Sequence, residues 1–165
     1  MSSNYCIASY IKDCKTNKQS PGFGDFIRGC LTLIKYCEKY NYKFYINKDS
    51  HEMFSLFKNN EYFIDSNDNK VKENKNVVEL VPPLSYKTID IRLKTLFSSK
   101  NNFNIITSGF YNYPNNYGPI NTNQYNILKK ILTPNNLFQN EINNVLQKIN
   151  VQKYNYNILH IRTGD

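Results

Sequence analysis

Tyr5-Cys6-Ile7-Ala8-Ser9-Tyr10-Ile11, then Pro21-Gly22-Phe23-Gly24-Asp25-Phe26-Ile27-Arg28-Gly29-Cys30-Leu31, then Tyr42-Lys43-Phe44-Tyr45-Ile46-Asn47 are the stretches on which the fold turns. The first alternates around Cys6, Ile7, Ala8 and Tyr10 and reads as a buried strand. In the second, Phe26, Ile27, Cys30, Leu31, Ile34 and Cys37 recur at three- and four-residue steps, which predicts a helix of about four turns. Asp25 falls in its first turn, placed as an N-cap or as a partner of the helix dipole. The third is again a strand, so the first fifty residues form one βαβ unit.

The same grammar continues outward. His51 to Phe57 predicts a short helix, Val77 to Val81 a strand ended by Pro82-Pro83, and Thr88 to Phe97 a helix with Ile89, Leu93 and Leu96 on one face. Ser66 to Asn76 reads as a polar surface loop. Phe103 to Thr107 reads as another buried strand, followed by a loop holding Gly109, Pro114, Gly118 and Pro119 that is long enough to be functional. Gln124 to Leu132 predicts a helix. Thr133-Pro134 then opens another, with a capping hydroxyl, proline in the first position, and Ile142, Val145, Leu146 and Ile149 on one face. Strands separated by helices imply an α/β fold with a mainly parallel sheet flanked by helices.

At 165 residues the chain fits one domain, which buries about two-thirds of its unfolded surface. The formal charge of +8 is carried by lysines scattered as singles and pairs. That pattern fits a solvated basic surface better than a nucleic-acid tract. No stretch approaches the roughly 18 apolar residues of a membrane span, and the start, Met1-Ser2-Ser3-Asn4-Tyr5, lacks the basic and apolar regions of a leader. The expectation is a soluble, intracellular chain without a membrane span. The four cysteines, Cys6, Cys14, Cys30 and Cys37, contain no Cys-x-x-Cys pair and have no histidine at ligand spacing. They read as small buried thiols, with no metal site.

Two segments carry chemistry. Gly22 to Gly29 lies between a strand and a helix, where backbone amides can cradle an anion. Its third glycine comes five residues after the second, and Cys30-Leu31 follow it, so neither a dinucleotide fingerprint nor a phosphate loop is present. Two readings of the glycines stay open, a cleft lining or a tight turn. Arg28, one turn into the helix, reads as solvated or salt-bridged, and His51, without an acid or thiol partner nearby, as a surface residue. The other segment is the terminal His160-Ile161-Arg162-Thr163-Gly164-Asp165, preceded by a strand-like Tyr154 to Leu159. His160 and Arg162 alternate onto one face, at a strand's carboxyl end where ligands of open α/β sheets bind. Arg162 reads as a phosphate ligand, because its planar fork makes paired charge-assisted hydrogen bonds.

Taken together, Gly22-Phe-Gly-Asp-Phe-Ile-Arg-Gly29 and the run from Leu132-Thr133-Pro134 to His160-Ile161-Arg162-Thr163-Gly164-Asp165 resemble the fucosyltransferases that share a His-x-Arg-Arg-x-Asp motif, the α1,2-, α1,6- and protein O-fucosyltransferase groups. The resemblance implies a GT-B architecture of two facing Rossmann-like domains, GDP-fucose as donor, a glycan or protein acceptor, and catalysis without a metal. By position it implies that Arg162 is the catalytic arginine stabilising the departing diphosphate, that His160 faces the nucleotide, and that Gly22, Gly24 and Asp25 line the donor cleft. Thr163 stands where many members carry a second arginine, which removes one phosphate donor. On this reading residues 1–150 form a Rossmann-like N-terminal, acceptor-side domain, and residues 151–165 the first strand of a donor-binding domain, absent or truncated. The expected product is a fragment inactive alone, either a remnant or a half-enzyme completed by a second polypeptide that supplies the donor domain. An AT-rich coding bias toward Lys, Asn, Ile, Tyr and Phe points to a viral or parasite source, with the host cytoplasm as location if viral.

A competing class is a non-catalytic carbohydrate- or nucleic-acid-binding module, in which Phe110-Tyr111-Asn112-Tyr113-Pro114-Asn115-Asn116-Tyr117 stacks on sugars or bases.

Overall fold

A computed structural model describes residues 4–10, 22–80, 84–107 and 119–150. The βαβ unit is formed by β1 (Tyr5–Tyr10), α1 (Phe23–Tyr40) and β2 (Lys43–Asn47), with β1 and β2 parallel and Cys6 opposite Phe44. Helix α1 ends at Asn41, whose left-handed φ of 59° stops the helix while its amide bonds the Cys37 and Glu38 carbonyls. After β2 come two 3-10 turns, Lys48–Ser50 and Glu52–Leu56, then β3 (Phe63–Ile64), α2 (Asn69–Lys72) and β4 (Val77–Glu79). Helix α3 (Tyr86–Ser98) is capped by the Ser85 hydroxyl and leads into β5 (Phe103–Thr107); α4 (Thr122–Ile131) and α5 (Asn136–Lys148) follow.

The five strands among the described residues are all parallel, in the order β3-β2-β1-β5-β4. The order dictates the layers. The steps β1 to β2, β2 to β3 and β4 to β5 run the same way across the sheet, so right-handed crossovers put α1, the 3-10 turns and α3 on one face. The step from β3 to β4 runs the other way and carries α2 to the opposite face. There the Tyr5 hydroxyl donates to the Lys70 carbonyl, and Lys70 lies over the Tyr45 ring. Alternation along the strands then sorts the side chains. Cys6, Ala8, Phe44, Ile46, Phe103 and Ile105 join the core under α1 and α3, with Phe26, Leu33, Leu93 and Phe97. Ile7 is fully buried on the other face. The result is the expected α/β, Rossmann-like layering.

Several expectations shift. The predicted helix over His51 to Phe57 is a 3-10 turn, with the His51 Nδ1 accepting the Met53 amide. The stretch from Ser66 to Asn76 is more than surface loop: it contains α2, and Asn74 is buried. The last helix starts at Asn136, capped by the Asn135 carboxamide, because Pro134 pairs with Phe57 in an isolated antiparallel bridge; the Thr133 hydroxyl instead donates to the Lys129 carbonyl. None of the α5 side chains is buried. Cys6, Cys30 and Cys37 are buried free thiols as expected; Cys14 and the strand expected over Tyr154 to Leu159 lie outside the described residues. Among the described residues no helix is long and apolar enough to cross a membrane.

Candidate functional site

Ligands of open parallel sheets bind outside the carboxyl ends of the strands, and here the chain prepares that edge in detail. Ser50 extends the central pairing, its Oγ accepting the Tyr10 amide at 2.9 Å and donating to the Asn47 carbonyl at 2.6 Å. The Asn47 carboxamide accepts from the Asp49 amide and the Ser66 hydroxyl, and the Asp49 carboxylate takes the Ser66 amide at 2.7 Å. Lys48 closes this rim on Asp65 at 2.8 Å.

Beside it begins α1. Gly22 is the N-cap residue, with an extended backbone (φ −65°), and among the described residues no side chain caps the helix. The Asp25 and Phe26 amides both bond the Gly22 carbonyl, at 3.0 and 3.3 Å. Those of Phe23 and Gly24 precede the first intrahelical bond, so they are the donors an anion would meet. Neither glycine is explained by a tight turn. Gly22 adopts a backbone open to any residue, and a Cβ on Gly22 or on Gly24 meets nothing within 4 Å. Asp25 is not the cap; its carboxylate sits in the first turn and pairs with Arg28 at 3.2 Å. Arg28 is mostly exposed and salt-bridged, as its sequence context implied.

His51, expected at the surface, is half-buried in an aromatic cluster at this edge. Its ring lies 4.4 Å from that of Tyr10 and 5.0 Å from that of Phe23, and Phe23 in turn stacks on Phe57 at 6.0 Å. With Nδ1 accepting from Met53, the neutral imidazole carries its proton on Nε2 and is a donor there. His51, Phe54 and Phe57 form one side of a cavity of about 480 Å³, completed by Lys48, Glu52, Lys58 and Asn135. A volume of that order fits a small ligand. Its mix of aromatic wall and hydrogen-bonding rim suits a polar ligand with an apolar face. A second cavity, about 400 Å³ between α1, α4 and the start of β2, has Ile34, Phe44, Tyr62 and Ile127 in its walls and lies toward the amino ends of the strands.

The structure thus brings Gly22, Gly24 and Asp25 together at one helix start, while His160 and Arg162 lie outside the described residues. The buried thiols take no part: burial pushes Cys6 and Cys30 well above the ordinary thiol range, which leaves them un-ionised and inert. The signal for His51 in the sequence was positional. It follows the second strand of the βαβ unit, at the same sheet edge as Gly22. No protein-family model, curated protein or solved structure matches this chain.

Proposed function

We propose that this chain supplies the acceptor-side domain of a fucosyltransferase-like glycosyltransferase, acting with GDP-fucose as donor and a glycan or protein as acceptor. The observation that carries the reading is the uncapped start of α1, with Gly22 and Gly24 open to solvent space, beside the cavity formed by His51 and Phe57. Backbone amides at a helix start favour the negative charge of a diphosphate. The cavity's rim of Lys48, Glu52, Lys58 and Asn135 offers both donors and acceptors to sugar hydroxyls, with the Phe57 ring beside them. In this reading Arg162 stabilises the departing diphosphate through paired hydrogen bonds, and His160 stands next to it.

Calorimetric titration with GDP and GDP-fucose tests this directly. Binding of both is expected, lost in Arg162→Ala. Gly24→Ala should weaken binding without lowering stability, because the added methyl meets no protein atom and alanine is the better helix former. A folded protein that binds neither nucleotide, or an Arg162→Ala variant of unchanged affinity, overturns the proposal. The same cavity supports a second reading, a non-catalytic carbohydrate-binding module. It is distinguished by glycan binding with no preference for GDP, whereas a nucleic-acid module would bind oligonucleotides with a steep salt dependence.

A further inference from the structure

Helix α5 has two apolar edges of different character. The inner edge, Phe138, Ile142 and Leu146, is half-buried, with the Phe138 ring 6.2 Å from that of Phe57. The outer edge carries Leu137 and Val145, 78 and 53% exposed, and is continued just past the helix by its C-cap residue Ile149, 59% exposed. Glu141 and Lys148, both exposed, lie in that same stripe, since steps of three, four and seven residues return to one side of a helix. The remaining exposed surface of α5 is uncharged amide: Asn136, Asn140, Asn143, Asn144 and Gln147.

The order along the outer stripe is apolar, acid, apolar, base, apolar. Reversed end for end it presents base where it had acid, so the stripe is complementary to an antiparallel copy of itself. One register places Val145 against its own counterpart, Leu137 beside the other copy's Ile149, and Glu141 beside the other copy's Lys148. With a rise of about 1.5 Å per residue and the two-fold axis at Asn144, each pair is then matched to within about 3 Å along the axis. Two-fold symmetry makes the ion pair twice, as isologous contacts do. A parallel pairing would set Glu141 against Glu141 and Lys148 against Lys148, so charge selects the antiparallel arrangement.

We infer that the outer stripe of α5 is a contact between two copies of this chain, packed antiparallel about a two-fold axis at Asn144, beside Val145. A helix of this length spans only about 20 Å, and the pair buries less than the roughly 1,200 Å² of a standard interface. The dimer is therefore weak and reversible.

Sedimentation equilibrium on the full chain over a wide concentration range reads it. A monomer–dimer equilibrium is expected. Glu141→Lys or Lys148→Glu alone turns two attractive pairs into two repulsive ones and should weaken association roughly tenfold. The two substitutions together should restore it. Val145→Asp should abolish it. Far-UV circular dichroism and melting temperature identical to the parent chain, taken at a dilution where the parent is monomeric, show that each variant is folded. A chain that stays monomeric throughout, or a charge-swapped double variant that fails to recover, overturns the inference. So does a monomer in which Val145→Asp lowers the melting temperature, which would assign the stripe to packing within one chain.

Discussion

Glu38, near the end of α1, receives three side-chain amides from the start of α4: Gln124 Nε2 at 2.6 Å, Asn121 Nδ2 at 3.0 Å and Asn123 Nδ2 at 3.1 Å. Gln124 works twice, because its Oε1 also accepts the Asn121 amide in a reciprocal cap. Donation to the charged form, from Gln124 first, holds the Glu38 carboxyl below its ordinary value of 4.5. A carboxylate depressed by folding contributes stability that is present above that value and lost as pH falls through the lowered one. Glu38→Gln should therefore melt below the parent chain at neutral pH, and the gap should close as pH drops under about 4.5. Equal melting at neutral pH, or a gap that does not narrow as the pH falls below 4.5, would show that charge does not hold α4 to α1. His51 shows why such contacts are hidden in sequence. Its neighbours Lys48, Asp49, Ser50 and Glu52 are all polar, and the two rings nearest to it come from Tyr10 and Phe23, far away along the chain. The place of Gly22, Gly24 and Asp25 at a helix start was legible because a helix start between strands is a local pattern.

Among the elements, α3 is anchored by Ile89, Leu93 and one ring that meets four others. Phe97 is buried with centroids 4.9 Å from Phe103, 5.0 Å from Tyr42, 5.4 Å from Tyr36 and 5.7 Å from Tyr40. It joins β5, α1 and the turn leading into β2 at a single point. Phe97→Ala removes this junction and should cost about 3–5 kcal/mol in urea denaturation. A loss under about 1 kcal/mol would mean that the α1–α3 contact rests instead on the polar link from the Tyr36 hydroxyl to Asp90 and on to Lys94. The elements legible in sequence were those long enough to show a period: α1, α3 and β5 fall where the apolar spacing placed them, β5 to the residue. Strand β3 has two residues and α2 has four, less than is needed to display alternation or a helical face. The start of α5 moved from Thr133 to Asn135 because the tertiary bridge between Phe57 and Pro134 outweighs the local capping signal. The insertion of β5 between β1 and β4 is a pairing of distant segments, and no local pattern encodes it.

Across the whole molecule, stability is distributed unevenly. β1 and β5 are central strands, hydrogen-bonded on both sides, with Ile7, Ala8, Ile105 and Phe103 almost wholly buried. Their amides should open only when the sheet unfolds. Helix α5 is joined differently. The Asn135 amide bonds the Leu56 carbonyl at 2.9 Å, the Asn135 carboxamide the Ser55 carbonyl at 2.7 Å, and Phe138 touches Phe57 by its ring. No α5 side chain is buried, and a helix of 13 residues is marginal on its own in water. Hydrogen exchange on dilute protein should therefore find the α5 amides exchanging through local opening, orders of magnitude faster than those of Ile7 and Ile105. Raising the concentration should slow α5 selectively if its outer stripe pairs with a second copy, since association stabilises only the folded helix by mass action. Equal protection of α5 and the central strands in dilute solution would contradict this division, and would mean that contacts at its first turn suffice to bind the helix into one cooperative unit with the sheet.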